Sequence, residues 1–95
     1  MPAVARLNDW CTGHGCYPAR QNDQASSDVF INSRGAHRQG DHWVSHCCKG
    51  SCHDSVLAAG SASIYVNGRQ LGRVGDPVAC GSSVATGSPN LFAGP

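Results

Sequence analysis

The chain has 95 residues, of which 40% are hydrophobic but only 6% aromatic, and a formal net charge of +1. A chain this short forms one domain at most, and its few large apolar side chains predict a thin core that needs support from a metal, disulfides or a partner. The near-neutral charge excludes the basic surface on which counterion-driven nucleic-acid binding depends, so we expect no nucleic-acid partner.

The first residues, 1–9, lack the apolar run of a secretory signal. No later stretch approaches the roughly 18 apolar residues of a membrane span. We therefore expect synthesis in the bacterial cytoplasm.

One sequence pattern recurs along the chain. Residues 28–41 align without gaps with residues 63–76, an offset of 35 residues. Residues 3–9 repeat the second half of this pattern, and residues 90–94 repeat the first half. The chain therefore contains about three copies, one of them divided between the two ends, and we expect the termini to meet in space.

Each full copy is predicted to form a short β-hairpin. Residues 29–31 and 64–66 are runs of β-branched and aromatic residues, and Asn67-Gly68 readily adopts the positive φ angles of a type I′ turn. Asn32-Ser33 is a weaker turn former, which leaves that turn type open. No apolar helix period persists over three turns, so we expect a mostly β domain with little helix.

A small residue followed by aspartate ends the repeated pattern in each copy. The three pairs are Asn8-Asp9, Gly40-Asp41 and Gly75-Asp76. The aspartate carboxylate closes a turn in such a sequence, and we expect a loop to begin there.

Histidine and cysteine residues occupy equivalent positions in the loops that follow. His14 and His46 each lie five residues after a loop-starting aspartate, and Cys80 lies four residues after one. If the copies surround a pseudo-three-fold axis, these side chains meet near it. His53 supplies a fourth ligand, because residues 52–59 align with residues 80–86 when one residue is inserted. Three His and one Cys suit Zn²⁺ in a closed structural site, which would replace the missing core.

The other His and Cys residues leave alternatives open. His42 directly follows Asp41, outside the ligand register, and is the main rival of His53. His37 lies in a predicted strand, where packing or a supporting hydrogen bond is the default interpretation. The remaining cysteines fit a disulfide framework or a second metal site, although the lack of a secretory signal favours reduced thiols at synthesis. They are Cys11, Cys16, Cys47, Cys48 and Cys52.

Catalysis has little support in the sequence. A nucleophilic Cys–His pair needs a third orienting group and an oxyanion hole, and Asp54 beside His53 is the one evident orienting group. Four protein ligands would also leave no open position for a zinc-bound water. We therefore predict that the chain is not an enzyme.

The core of the repeat reads Ala3-Val4-Ala5-Arg6, Ala36-His37-Arg38 and Leu71-Gly72-Arg73-Val74-Gly75-Asp76. This pattern resembles the PAAR (proline-alanine-alanine-arginine) repeat over nearly the whole chain, and residues 87–92 resemble the closing strand of that family. The resemblance implies a small conical β-hairpin repeat domain with a pseudo-three-fold arrangement and a zinc-stapled apex. The ligands carried over onto this sequence are His14, His46, His53 and Cys80, and iron is the alternative metal.

The resemblance also implies a function. The chain would be a bare tip, one domain over residues 1–95 without an effector extension, that caps and sharpens a trimeric β-helical spike, one monomer per trimer. The spike belongs to a contractile machine, either a bacteriophage tail or a type VI secretion system, and the sequence does not distinguish the two. The tip would be assembled on that apparatus, delivered outward, and pierce the target envelope in a transient contact.

Three similar strand edges at the base would match a three-fold partner. We predict that the spike contacts Val29, Phe30, Ile31, Ile64, Tyr65, Val66, Leu91 and Phe92. The competing interpretation is a free-standing binding module stabilised by zinc or disulfides.

Overall fold

The strands of the protein form three separate hairpins. A computed structural model describes all 95 residues and contains no helix, hence none long and apolar enough to cross a membrane. Strand β1 (Phe30–Ile31) pairs with β2 (Arg34–Gly35), β3 (His42–Cys48) with β4 (Ser51–Val56), and β5 (Tyr65–Val66) with β6 (Arg69–Gln70), all antiparallel. The molecule is elongated, measuring 37 × 24 × 21 Å.

The two short hairpins turn in the same way. The φ angles are 53° and 77° at Asn67-Gly68 and 53° and 66° at Asn32-Ser33. Positive φ at both central residues is the type I′ geometry. The turn at Asn32-Ser33, whose type the sequence left open, is therefore of the same type as the turn at Asn67-Gly68. Both predicted strands are confirmed, each beginning one residue later than predicted.

The two termini pair with each other at the position equivalent to these two short hairpins. Phe92 pairs with Ala3, as Phe30 pairs with Gly35 in the first copy. The backbone N–H of Ala93 donates to the carbonyl of Pro2 at 2.9 Å, and that of Val4 donates to the carbonyl of Leu91 at 3.0 Å. The termini therefore meet as predicted. We call the two short hairpins and the paired termini the base.

The recurrent arginine and aspartate of each copy bind one another. Asp41 accepts the backbone N–H and the Nε–H of Arg38 on one carboxylate oxygen, at 2.8 and 2.9 Å, and its Nη2 on the other at 2.9 Å. The same three bonds join Arg6 to Asp9 and Arg73 to Asp76. The carboxylates close the turns, as the sequence predicted.

The core has two layers along the pseudo-three-fold axis. The lower layer takes equivalent residues from all three copies, namely Val4, Ile31, Ala36, Val66, Leu71 and Ala93. The upper layer contains Ala5, Cys11, Trp43, Leu57, Val78 and Val84. Since most of these side chains are small, the core is as thin as the composition predicted.

A closed ring of backbone hydrogen bonds lies on the axis. Ala5 N–H donates to Gly72 O at 2.9 Å, Gly72 N–H to His37 O at 2.8 Å, and His37 N–H to Ala5 O at 3.1 Å. A Cβ on Gly72 would come within 2.8 Å of Leu57 Cδ2. The crowded axis therefore has room for one large side chain, the fully buried His37.

The β3–β4 hairpin is the longest element and was not predicted from the sequence. Trp43 pairs with Ser55 and His46 with His53, so β3 has one extra residue between these pairs. In a regular strand, residues three apart face opposite sides, but this bulge turns both Trp43 and His46 inward, and both are buried. Trp43 thereby fills the upper core, and His46 extends beyond it.

Candidate metal centre

Four predicted ligands meet at one place. The Nε2 atom of His14 lies 3.2 Å from that of His46 and 3.1 Å from that of His53, and the His46 and His53 Nε2 atoms are 2.8 Å apart. One ligand atom from each of His14, His46, His53 and Cys80 lies within 4.8 Å of all the others. This group could hold a metal ion, and we call its end of the molecule the apex.

Each loop positions its ligand by local backbone bonding. His14 and Tyr17 exchange two backbone hydrogen bonds of 2.8 and 3.1 Å, which makes a tight turn with His14 at its start. His46 and His53 face each other across β3 and β4. Cys80 lies in a turn in which Val78 N–H donates to Ser82 O at 2.8 Å. The ligands therefore come from three different segments. These are the His14 turn, the β3–β4 hairpin and the Cys80 turn, which we call the three loops of the apex.

The orientation of His46 is determined by a backbone carbonyl. Its Nδ1 lies 2.8 Å from the Pro18 oxygen, which can only accept a hydrogen bond, so Nδ1 carries the proton. In the neutral ring, Nε2 then presents its lone pair to His14 and His53. Metal-binding histidines are commonly held in this way.

Tyr17 covers the three imidazole rings. Its ring centroid lies 4.8 Å from that of His14, 4.9 Å from that of His46 and 4.4 Å from that of His53. The sequence analysis did not single out Tyr17, and its place in the turn with His14 becomes visible only when the loops are folded together. The aromatic ring limits access of water to the nitrogen atoms.

The Cys80 sulfur is suited to be an anionic ligand. Burial disfavours the thiolate and acts to raise the pKa of Cys80, but hydrogen bonds from the Ser82 backbone, Arg20 and His53 outweigh burial and lower this pKa to about 5. The thiolate therefore predominates at neutral pH, which is the form that binds a metal.

The donor set fits a tetrahedral ion. Zinc–nitrogen bonds of about 2.0–2.1 Å place ligand nitrogens about 3.3 Å apart in a tetrahedron, and the observed nitrogen separations are 2.8 to 3.2 Å. Three imidazole nitrogens this close need a cation or shared protons among them, since their lone pairs repel. Imidazole nitrogen and thiolate sulfur are donors that Zn²⁺ prefers.

The two remaining histidines lie outside this group. His42, the rival of His53, is held by Asp23 at Nδ1 (2.6 Å) and by Asp54 at Nε2 (2.8 Å). His37 Nδ1 lies 2.8 Å from the Gln24 carbonyl, and its ring packs edge-on against Trp43. Neither imidazole belongs to the group of four clustered ligands.

Four cysteines are paired in two disulfides. Cys16 in the His14 turn is bonded to Cys48 on β3, and Cys47 is bonded to Cys52 across β3 and β4. Cys47 and Cys48 are successive strand residues and face opposite sides, so the four sulfurs cannot surround one metal. The structure therefore favours the disulfide framework over a second metal site, leaving Cys11 and Cys80 free.

The residues predicted to contact a partner separate into two groups. Strand alternation turns most of them outward, and Phe30 and Tyr65 are 60% and 56% exposed. Ile31 and Val66 form the second group, because alternation turns these side chains into the lower core, where they are buried. The exposed members are Val29, Phe30, Ile64, Tyr65, Leu91 and Phe92.

Comparison with known proteins agrees with this geometry. The chain is similar to two Pseudomonas aeruginosa proteins, NAD(P)(+) glycohydrolase toxin Tse6 and (p)ppApp synthetase toxin Tas1, with 37% identity to each over 75% of this chain. It spans 18% of the length of each toxin. The family model of the PAAR motif matches residues 12–86. This match covers most of the chain, including all four clustered ligands, and the protein therefore belongs to the PAAR motif family.

Proposed function

We propose that this protein is the tip of a trimeric β-helical spike in a type VI secretion apparatus. The observation that carries this proposal is a PAAR domain with a three-part apolar base and a His/Cys apex. The similarity to two bacterial toxins favours a secretion apparatus over a bacteriophage tail. The role is mechanical, and the enzymatic names of these relatives are not transferred to a chain that spans 18% of their length.

The base supplies the docking surface in this proposal. Each of its three parts presents an outward-facing pair, namely Val29-Phe30, Ile64-Tyr65 and Leu91-Phe92, all more than a third exposed. The pairs occupy equivalent positions in the repeat, so each can meet one subunit of a trimer. Contiguous apolar surface of this kind marks interaction sites on small proteins. One tip would thereby cap one trimer without a symmetry mismatch.

The apex supplies rigidity. We propose that His14, His46, His53 and Cys80 hold one Zn²⁺, with each of the three loops contributing at least one ligand. The bound ion would supply a cross-link among these loops, and its binding free energy would add to the stability of the fold. The Nδ1–H bond of His46 to Pro18 and the cover by Tyr17 keep the ligands in place. A rigid point transmits the force of sheath contraction to the target envelope.

Docking is tested with the purified trimeric spike protein of the same apparatus. We expect Tyr65→Lys and Phe92→Lys each to weaken binding at least tenfold, because each buries a charge in the apolar contact, and to leave metal content unchanged. Ser45→Lys is the matched control, since Ser45 is exposed on β3, away from the base. Undiminished binding of both base variants would refute this docking surface.

Metal binding is tested by elemental analysis together with free-thiol titration. We expect one zinc per wild-type chain and loss of metal in His14→Ala and Cys80→Ala. His42→Ala is the matched control, because His42 is bound by Asp23 and Asp54, and it should retain the metal. A metal-free monomer without affinity for a spike would instead favour the disulfide-stabilised binding module.

A further inference from the structure

Arg20 differs from every other arginine in the chain. Arg6, Arg34, Arg38, Arg69 and Arg73 all form ion pairs with aspartates. Arg20 is only 5% exposed, yet no carboxylate lies within ion-pair distance of it. Burying an isolated cation is costly unless an anion or several acceptors compensate, so the surroundings of Arg20 must supply them.

Two sulfur atoms take the place of the missing carboxylate. The Nη1 of Arg20 donates to Cys11 Sγ at 3.1 Å, and its Nη2 donates to Cys80 Sγ at 3.4 Å. These are the two cysteines that form no disulfide. The guanidinium therefore spans both free cysteines of the protein, and one of them belongs to the cluster of four ligands.

The other contacts of Arg20 hold the guanidinium in place. Its Nε donates to Val44 O on β3 at 2.8 Å, and its guanidinium carbon lies 5.6 Å from the centroid of the Trp43 ring. Arg20 comes from the loop that carries His14, Val44 from the strand that carries His46, and Cys80 from the third loop. One side chain thus bonds to all three ligand-bearing segments.

We propose that Arg20 is a positioning residue of the metal centre, which holds the Cys80 sulfur toward the three histidines and withdraws electron density from it. This inference rests on the metal site proposed above. A hydrogen bond to a metal-bound thiolate stabilises the sulfur lone pairs and makes the sulfur a weaker electron donor. The donor strength of Cys80 is therefore set by Arg20 as well as by the metal.

Cobalt in place of zinc gives a spectroscopic readout of this bond. The thiolate-to-cobalt charge-transfer band reports the energy of the sulfur lone pairs. We expect Arg20→Met to shift this band to lower energy, because the sulfur loses its hydrogen bond. Arg20→Lys keeps the charge but not the planar fork, so it should give a smaller shift. Arg34→Met is the matched control and should leave the band in place, since Arg34 bonds to Leu7 and Asp9.

The outcomes separate this inference from the metal site itself. Cobalt bound to Arg20→Met with an unshifted band would refute the role of Arg20 and leave the metal site intact. A wild-type chain that binds neither zinc nor cobalt would refute the metal site.

The role of Arg20 at a metal centre falls with it, and a double-variant cycle on metal-free protein then tests the Arg20–Cys80 bond alone. The variants are Arg20→Met, Cys80→Ala and their combination, compared by chemical denaturation. We expect the combined loss in free energy of unfolding to be smaller than the sum of the single losses, because both variants break the same bond. Additive losses would overturn the pairing, and Arg20→Lys replaces Arg20→Met in the cycle if the latter does not fold.

Discussion

The base and the apex of this protein are stabilised in opposite ways. The base repeats one set of short-range contacts three times. For example, Ser26, Ser61 and Ser88 each accept two backbone N–H bonds through Oγ, from residues two and three positions ahead. The apex has no such repetition. Its three loops differ in length and are joined by side chains that are far apart in sequence.

The difference shows where each kind of stability comes from. In the base, every copy contains its own serine contacts and is followed by its own Arg–Asp pair, so one altered copy leaves the other two. In the apex, the Cys16–Cys48 disulfide joins residues that are 32 positions apart. The ligand cluster likewise joins distant segments, those of His14, His46 and Cys80. Loss of one apex link therefore frees a whole loop.

The largest effect should come from the long disulfide of the apex. Cys16–Cys48 closes a separation of 32 residues, so its removal in Cys16→Ser/Cys48→Ser should cost about 3–4 kcal/mol on the chain-entropy estimate. Cys47–Cys52 closes a separation of only 5 residues, and Cys47→Ser/Cys52→Ser should cost about 2 kcal/mol. The free energy of unfolding is measured by denaturant titration without reductant.

Hydrogen exchange sharpens this comparison. In Cys16→Ser/Cys48→Ser, amides of the base, such as those of Ala36 and Leu71, should keep their wild-type protection relative to global unfolding. Amides around His14 should exchange faster than in the wild type. The reduced wild-type protein serves as the reference, since it also lacks the Cys16–Cys48 link. Equal loss of protection in base and apex would contradict the conclusion that the two regions are stabilised separately.

The three aspartates that follow the base in each copy should differ in importance. Asp41 is fully buried and pairs with both Arg38 and Arg69, whereas Asp76 pairs with Arg73 alone. Asp41→Asn should therefore cost about 3 kcal/mol, because two arginines lose their partner, and Asp76→Asn about 1 kcal/mol. Thermal or chemical denaturation gives both values, and equal losses would show that the second arginine contributes nothing.

The smallest effect concerns the surface ion pairs of His42, which connect β3 to Asp54 on β4 and to Asp23 in the preceding loop. The hydrogen bonds that His42 donates to Asp54 and then to Asp23 raise its pKa. The stabilisation by this link is thus fully present below the unfolded pKa of about 6.5, and it is lost as the pH rises through the folded pKa. NMR titration should show the pKa of His42 falling in Asp54→Asn, and an unchanged value would exclude the bond.

The stability difference between wild type and His42→Asn checks the same link. It should decrease toward high pH, because neutral His42 no longer attracts the two carboxylates. The effect is small, since all three side chains are exposed to solvent by more than a third.

The repeated features could be predicted from the sequence because they are local. The Asn-Gly turn, the Arg and Asp three residues apart, and the strand alternation each depend on neighbours within one copy. The common register also predicted that His14, His46 and Cys80 converge, and the alignment with one insertion added His53. The structure brings all four together. In a closed arrangement of three copies, equivalent positions in the sequence occupy equivalent positions around the axis.

Only the tertiary structure decided the features that connect different loops. The bulge in β3, the cover of Tyr17 over the imidazoles and the disulfide partners depend on how loops of unequal length fold together. Arg20 could not be predicted for the same reason, because it donates hydrogen bonds to sulfur atoms of residues 9 and 60 positions away in the sequence. Such contacts leave no periodic trace in the sequence, since their geometry is determined by packing rather than by local conformational preference.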